Sequence, residues 1–435
     1  MADKVSATQL QDLQACLGPE VEILTEKDSG DRFQEFAQGW TNIGRATPGA
    51  IVLPLTEEQI QKTVQWAVQS SVPFVTKSGG HSEWSSIGEE GIVINVKKFS
   101  GIEVDSATQT ARLKGSMLSK EVAVALAATG SFTALGNGNT VGAIPYFLGG
   151  GSSVTNSITG YGSDQVIAAR MIDAKGRLVE VTEEKEPDLL YAIRGAGQFF
   201  GLVTELTVKT TPSSVIWVGA FVFPLERAKE VAEIMKPLMD DASWATAGLI
   251  MTMASPPARK PALVISARYT GNPDGAKIAY KPLYDLQPLG DFKRFGIVGL
   301  KRFDIDSFLK TIEVWKALVE QCPDAMNTAF NFQWDSRPPK TPEFESAMSL
   351  HDTRYWQNNL IWHTDPKTRQ QVDMFNDECI RIMRGPDRSE YADFQNGTRT
   401  GPIELRFRGP GKLDKLKALK LKWDPAGVFT RQLLD

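Results

Sequence analysis

The chain has 435 residues, a length that holds two or three domains with a substantial core. Hydrophobic residues make up 42% and charged residues 23%, as in an ordinary globular protein, and the formal net charge is −4. That balance argues against a surface that binds polyanions, so we expect no nucleic-acid partner.

Cysteine and histidine are too sparse for a metal site or a disulfide framework. Cys16, Cys322 and Cys379 lie far apart in the chain, and only three histidines occur. The N-terminus lacks the apolar core of a signal peptide, and no stretch is long and apolar enough to span a bilayer. We expect a cytoplasmic protein without a bound metal, and without membrane contact.

The first clear pattern begins near Val52, where Thr56 and Gln59 have the spacing of a capping box before a helix. An apolar run, Val72–Val75, predicts a strand that leads into Lys77-Ser78-Gly79-Gly80-His81-Ser82. Two adjacent glycines allow a tight turn, and successive N–H groups in such a turn can converge on a phosphate. The turn is therefore a candidate cofactor clamp, although a lone histidine is more often structural.

The chain continues in alternating elements up to a change of texture after Pro212. The segment 135–162 holds seven glycines between Gly136 and Gly160 and also carries apolar anchors, which favours close backbone packing over a flexible linker. Around it we predict strands at Gly91–Val96, Ile102–Val104, Thr110–Leu113, Gln165–Ile172, Leu178–Val181 and Leu202–Lys209, with helices at Leu118–Ala128 and Pro187–Ile193.

Residues 213–385 alternate long strand candidates with amphipathic helices, which predicts an antiparallel sheet with helices on one face. The predicted strands are Val215–Phe223, Thr246–Met253, Ala262–Tyr269, Phe295–Phe303, Thr328–Trp334 and Asn358–Trp362. The predicted helices are Glu226–Met239, Ser307–Gln321 and Pro366–Met383, and a last helix, Leu413–Trp423, ends before Asp424-Pro425.

Several common site motifs are missing. The run Gly195–Gly201 precedes a strand and misplaces the third glycine of a dinucleotide fingerprint, which argues against a Rossmann site. Neither a P-loop nor the G-x-S-x-G of a serine hydrolase occurs in the chain.

The ordered set of motifs is more specific than any one of them. Lys77–Ser82 is followed by Thr140-Val141-Gly142, Gly149-Gly150-Gly151, Arg194-Gly195-Ala196-Gly197 and Phe200–Thr204, and the chain closes on Lys420-Leu421-Lys422-Trp423-Asp424-Pro425. This order resembles the vanillyl-alcohol-oxidase/PCMH flavoprotein superfamily, in its berberine-bridge-enzyme-like branch. The resemblance is dense over 50–212 and thinner over 390–435.

The resemblance implies an α+β fold, with a PCMH-type FAD-binding domain of two α+β subdomains and a substrate domain whose antiparallel sheet is flanked by helices. The implied boundaries are 1–212 for the FAD-binding domain, 213–388 for the substrate domain, and 389–435 for a C-terminal segment that completes the FAD-binding domain. FAD is the implied cofactor, and the implied FAD-binding residues are Lys77, Ser78, Gly79, Gly80, His81, Ser82, Thr140, Val141, Gly142, Gly150, Gly151, Gly162 and Val203.

Two departures from the family pattern bear on the chemistry. His81 matches the histidine that bonds the flavin covalently, whereas Gly138 stands where many relatives carry a second flavin-linking cysteine, so we expect a link through His81 only. The C-terminal Y-x-N-Y motif of relatives is altered to Tyr391-Ala392-Asp393-Phe394, and Lys412 lies near the register of a common asparagine. These changes put the usual catalytic residues in question.

The candidates for a catalytic base need hydrogen-bond reach of the substrate and a suitable pKa. We name Asp393, Tyr391, Tyr355 and His351 as the catalytic candidates, with Gln333 and His363 as weaker ones. Asp393 is equally well explained as a loop carboxylate, and His363 is better explained as an exposed strand end.

The resemblance implies an FAD-dependent oxidase of a small secondary-metabolite-like substrate. Hydride would pass to flavin N5, and O2 would reoxidise the flavin and release hydrogen peroxide. The oxidation of the substrate could take the form of a cyclisation or a desaturation. Two alternatives stay open: a flavin-containing cyclase with no net redox change, and a non-catalytic flavin-binding module.

Overall fold

The N-terminal part of the chain forms a four-stranded sheet in the order β1-β2-β4-β3, with helices packed against it. The computed structural model describes residues 4–40, 45–255, 260–286, 298–300, 303–361, 363, 365, 367–384, 391–392 and 403–434. Strands β2, β4 and β3 are parallel, and β1 is antiparallel to β2. The elements of this first subdomain are α1 (Ala7–Leu17), β1 (Glu22–Leu24), α2 (Glu26–Ala37), β2 (Ala50–Leu53), α3 (Glu57–Gln69), β3 (Phe74–Lys77) and β4 (Ile92–Asn95).

A five-stranded antiparallel sheet in the order β5-β6-β10-β8-β9 follows and forms the second subdomain. A short pair, β7 and β11, lies outside that sheet. The elements are β5 (Ser100–Asp105), β6 (Thr110–Gly115), α4 (Ser119–Ala128), β7 (Ser131–Phe132), α5 (Ala143–Leu148), α6 (Asn156–Thr159), β8 (Val166–Ile172), β9 (Leu178–Val181), α7 (Pro187–Ala196), β10 (Leu202–Lys209) and β11 (Thr211–Pro212).

The third unit is a seven-stranded antiparallel sheet in the order β12-β14-β13-β16-β17-β15-β18. One face of it packs on helices through a large apolar cluster that contains Phe330, Phe332 and Trp334. The elements are β12 (Ile216–Pro224), α8 (Ala228–Asp240), β13 (Thr246–Ser255), β14 (Lys260–Thr270), α9 (Pro273–Ala279), α10 (Lys281–Asp285), β15 (Val298–Leu300), α11 (Ile305–Gln321), β16 (Ala329–Asp335), β17 (Tyr355–Leu360), α12 (Arg369–Arg384) and β18 (Tyr391–Ala392).

The C-terminal residues return to the first two subdomains. They form α13 (Ile403–Arg406) and α14 (Lys412–Trp423). Trp423 packs in the apolar core of the second subdomain, while Val428 and Phe429 pack against that of the first. This agrees with a C-terminal segment that completes the FAD-binding part, while the boundaries 212/213 and 388/389 stay predictions.

The predicted α+β architecture and its antiparallel third sheet are confirmed, and the capping box of Thr56 and Gln59 is present. Several elements differ from expectation, and β1, α2, α9 and α10 were not predicted. The strand predicted at Val72–Val75 begins at Phe74, and the one predicted at Asn358–Trp362 begins at Tyr355. The sequence did not predict α5, because its proline and flanking glycines usually break helices; Pro145 is tolerated since it lies in the first turn.

In the part of the chain that the structure describes, we find no helix long and apolar enough to cross a membrane. Nor do the described residues contain a group of three or more His, Cys, Asp or Glu side chains placed to hold a metal ion.

Candidate functional site

The glycine turn that follows β3 is held by two residues that sequence reasoning missed. The carbonyl of Gly80 accepts hydrogen bonds from the Trp40 N–H at 3.1 Å and from Arg45 Nη2 at 2.6 Å. Gly80 has a φ of +69°, in the left-handed region that favours glycine. No signal in the sequence links Trp40 or Arg45 to the turn, because the contact is made across about 40 residues of chain.

The backbone of the turn has the donors that an anion needs. Within the described residues, none of the five N–H groups of residues 78–82 donates a hydrogen bond to the protein. Successive unpartnered N–H groups form a concave anion site. The observation fits the pyrophosphate of FAD, whose negative charge needs oriented donors.

A second glycine-rich segment meets this turn at backbone distance. A Cβ atom built on Gly79 would lie 2.4 Å from the nitrogen of Gly142, and one built on Gly142 would lie 2.6 Å from Ser78 Oγ. Residues 139–143 are in turn bonded to the start of α4, since Ser119 N–H donates to the Val141 carbonyl at 2.8 Å. Glycine is therefore required where the two subdomains touch, and the contact brings Ser78, Gly79 and Gly142 together.

His81 lies at the same junction and contacts another predicted residue. Its Nε2 is 2.8 Å from Thr140 Oγ1, and its ring stacks on Trp40 with 5.4 Å between ring centroids. Burial, assisted by the nearby charge of Arg45, lowers the pKa of His81 to about 4. The imidazole is neutral at physiological pH, and a neutral ring nitrogen is a nucleophile.

Lys77 does not agree with the prediction that it binds the cofactor. Its ammonium group is buried and donates to the carbonyl of Phe36 at 2.6 Å and to that of Gln38. These carbonyls lie at the C-terminal end of α2, where a cation is favourable. Burial lowers the pKa of Lys77 to about 8. Its ammonium thus fastens α2 to β3, and only its backbone borders the turn.

The glycines beyond α5 form a second close contact. Gly151 accepts the N–H of Gly162 at 2.8 Å, and Gly150 accepts that of Ser163 at 2.8 Å. Both Gly150 and Gly151 have positive φ, +113° and +72°. The Ser163 hydroxyl is fully buried and has no hydrogen-bond partner, so it is a further candidate for contact with the cofactor.

Val141 and Val203 have different surroundings. The Val141 side chain is half-buried and packs against the core of the second subdomain. Val203 is a buried member of that core on β10 and pairs with Met171 of β8. Contact of either residue with FAD stays a prediction.

Tyr355 does not fit the predicted catalytic role. It is buried on the helix side of the third sheet, where its hydroxyl lies 2.6 Å from Asp240 Oδ1 and 3.0 Å from the carbonyl of Met239. Burial raises the pKa of this hydroxyl far above its usual value. The predicted strand began at Asn358, whereas β17 begins three residues earlier, at Tyr355. Tyr355 is therefore the first residue of the strand rather than part of the segment before it.

His351 lies beside the second subdomain. Its Nε2 is 3.0 Å from both carboxylate oxygens of Asp164, and its ring packs edge-on against Tyr161. It also borders a cavity of about 320 Å³ that Lys412 and Lys415 line as well. Asp164 fixes the orientation of the imidazole, but among the described residues no hydrogen bond joins His351 to the glycine turns, so its catalytic role stays a prediction.

The other candidates are unevenly placed. Asp393 lies outside the described residues, and Tyr391 is described only as a backbone position on β18, opposite Leu300 of β15. His363 makes a 3.3 Å contact with the Asp365 carbonyl near the surface. Gln333, by contrast, donates from Nε2 to Ser152 Oγ at 3.3 Å, next to Gly151.

Comparisons with known proteins agree with this geometry. The family described as FAD binding domain matches residues 48–182. The FAD-linked oxidoreductase hasG of Aspergillus fumigatus is 26% identical, over 92% of this chain and 94% of that protein. The structure of wild-type Physcomitrella patens BBE-like 1 superposes with a TM-score of 0.82 at 18% identity, over 98% of each chain.

A third relative carries a covalent cofactor. Glucooligosaccharide oxidase from Acremonium strictum, described with a 6-S-cysteinyl, 8α-N1-histidyl FAD, has a TM-score of 0.75 at 20% identity, over 96% of this chain and 98% of that one. Together these findings define the class of protein, an FAD-dependent oxidoreductase. More particularly, they show an FAD binding domain over residues 48–182 and the fold of BBE-like 1, in agreement with the motifs. FAD is its cofactor.

Proposed function

We propose that this protein is an oxidase of a small secondary-metabolite-like molecule. In the overall reaction the substrate loses two electrons and two protons, and O2 accepts them as hydrogen peroxide. When bound, FAD supplies a two-electron acceptor at flavin N5. The observation that carries the proposal is the pair of abutting glycine turns, with five unpartnered N–H groups on one side and a neutral His81 beside them.

The residues of the chain have separate tasks in this proposal. The N–H groups of 78–82 bind the pyrophosphate, and Gly79 and Gly142 let both turns approach the cofactor. Ser163 offers a buried hydroxyl to the same group. Trp40 and Arg45 keep the turn in place through the Gly80 carbonyl.

We propose a single covalent link, through His81. Its ring is neutral and is oriented by Thr140 and Trp40, as a nucleophile requires. Gly138 replaces the second linking residue, and a Cβ there would lie 2.6 Å from Cγ2 of Val141. A cysteine at 138 would therefore need Val141 to move, which supports a site built for one link.

The test uses the purified holoprotein. Acid-precipitated protein should stay yellow, and its flavin should bleach when a substrate is added without oxygen and recover with stoichiometric hydrogen peroxide on aeration. A substrate that is converted with no bleaching would indicate the cyclase instead. Colourless protein that releases no flavin would overturn the proposal, and bound flavin that no substrate reduces would indicate the non-catalytic module.

A further inference from the structure

Strand β16 presents two different faces. Phe330, Phe332 and Trp334 join the apolar cluster on the helix side of the third sheet. Side chains alternate along a strand, so Asn331 and Gln333 lie on the opposite face. Gln333 contacts Ser152 at 3.3 Å, which shows that this face meets the FAD-binding part of the chain.

Three polar atoms of these two amides are buried without a partner among the described residues. Asn331 is fully buried, and neither its Nδ2 nor its Oδ1 makes a hydrogen bond with them. The Oε1 of Gln333, which is 4% exposed, has none either. Buried amides are costly to leave unsatisfied, and such groups in native proteins call for an explanation. A bound molecule that supplies both an acceptor and a donor would satisfy them.

Three of the four register neighbours of the two amides are apolar. Gln333 lies between Leu249 and Trp356, and Asn331 lies between Met251 and Asn358. Leu249 and Met251 belong to a buried apolar cluster on this face. A ligand here would therefore be flanked by hydrocarbon and an indole ring.

Charged residues on this face include Asp335 and Arg268. Asp335 follows Gln333 and accepts the Ser157 N–H at 3.3 Å. Arg268 donates to the carbonyl of Val154, and its Nη2 is buried without a partner among the described residues. Arg268 lies on β14 in register with Ala247, two strands away from the two amides. No charged residue is a register neighbour of Asn331 or Gln333 in the described strands, so an ionic group between them would be desolvated against Leu249 and Met251.

We propose that Asn331 and Gln333 bind the substrate and select an uncharged ring compound that carries a hydroxyl or carbonyl donor–acceptor pair. This deepens the proposed function and rests on it. A carboxamide does not titrate, so neither residue is the base. They orient the substrate, and the proton acceptor is a different group.

The first test is the stability of the substrate-free holoenzyme. Asn331→Leu replaces an unsatisfied amide by a side chain of similar size, so we expect a higher melting temperature than that of the natural protein, with the flavin absorbance spectrum unchanged. A lower melting temperature would mean that Asn331 has a structural role and would overturn the proposal. A displaced resting flavin spectrum would mean contact with the cofactor and would also overturn it.

The second test measures ligand binding to the same holoenzymes by perturbation of the flavin absorbance. The probes are salicylamide, which is neutral, and salicylate, which has the same ring and hydroxyl but a carboxylate. We expect salicylamide to bind at least tenfold more tightly than salicylate, and Asn331→Leu and Gln333→Leu each to weaken it at least tenfold.

Thr252→Val is the matched control. Thr252 pairs in register with Phe330 and lies on the helix face of the sheet, and its hydroxyl is buried without a partner among the described residues. Because the substitution removes a polar group on the other face, salicylamide affinity should not change. Tighter binding of salicylate, or no binding of salicylamide, would overturn the substrate class. Neither result affects the yellow colour or the bleaching by which the proposed oxidase function is judged, so the two failures are distinguishable.

Discussion

His81 combines a neutral ring with two fixed neighbours, and both properties follow from where it is buried. Burial and the charge of Arg45 lower its pKa, and Thr140 and Trp40 orient the imidazole. Lys77, four positions earlier, is more deeply buried, and its ammonium group binds the end of α2. At the scale of single residues, the same motif thus holds one side chain that we propose to be reactive and one structural side chain.

Covalent attachment of the flavin should depend on the protonation state of His81. Because its pKa is lowered to about 4, the ring is neutral above that pH and becomes protonated below it. We expect the extent of covalent flavin, measured after FAD is added to flavin-free protein and acid precipitated, to be flat from pH 8 to about pH 5 and to fall towards pH 4. His81→Ala should fold and hold FAD only non-covalently or not at all. A fall centred near pH 6.5 would contradict a buried, neutral imidazole.

Lys77→Met tests the structural role of that ammonium. The carbonyls of Phe36 and Gln38 at the end of α2 would lose their donor, so we expect a loss of about 1–3 kcal/mol in the free energy of unfolding. The flavin content of the folded fraction should be unchanged, because the N–H groups of the turn remain. Flavin loss at full thermal stability would show that Lys77 binds the cofactor after all.

The two glycine turns act as one element, although they belong to different subdomains. The turn after β3 and the segment before α5 touch through backbone atoms, and there is no space for a side chain between them. In the proposed function FAD binds at this seam between the subdomains, so its affinity should depend on how closely they approach each other.

Gly142→Ala should disturb this seam. Its new Cβ would meet Ser78 Oγ at 2.6 Å and the backbone nitrogen of Gly79 at 2.8 Å, so the turns would have to separate. We expect FAD affinity, measured by flavin retention on dilution or dialysis of a His81→Ala background, to fall at least tenfold. Gly101→Ala is the matched control, since its Cβ would meet only Lys114 Cδ, at 3.9 Å. Equal flavin retention in the two variants would show that the contact is not needed.

At the scale of the whole molecule, the C-terminal segment packs against both N-terminal subdomains. Lys420 and Asp424 are fully buried, and the Lys420 ammonium donates to Asp424 Oδ2 at 2.5 Å and to the Phe199 carbonyl at 2.6 Å. Asp424 also accepts the N–H groups of Val428 and Phe429. The Phe429 ring packs edge-on against Phe74, with 5.6 Å between centroids. The buried ion pair therefore fixes a tail that contacts both subdomains.

Lys420→Met should destabilise the FAD-binding part strongly, because it leaves the Asp424 carboxylate buried without its cation. We expect a loss of about 3–5 kcal/mol, measured as a lower temperature of flavin release and of the unfolding transition. Lys422→Met is the control: this lysine is exposed and lies 3.8 Å from Asp188, so its loss should change stability by about 0.5 kcal/mol or less. Similar effects of both substitutions would contradict the role of the buried pair.

The sequence by itself determined the cofactor and the class of fold. Glycine, histidine and hydroxyl residues in a fixed order are local signals, since a turn that binds phosphate needs particular backbone freedom at particular positions. The alternation of polar and aromatic residues from Asn331 to Asp335 also indicated a strand. The sequence did not show that both faces of this strand are buried.

Only the tertiary structure decided which side chains reach the site. Trp40 and Arg45 hold the cofactor turn from a distance in the chain, Lys77 turns to α2, and Tyr355 faces the helices. The tertiary structure also shows that the amide of Asn331 is buried without a hydrogen-bond partner among the described residues. Side-chain direction depends on strand register and on contacts between distant segments, and one residue of register reverses the face on which a side chain lies.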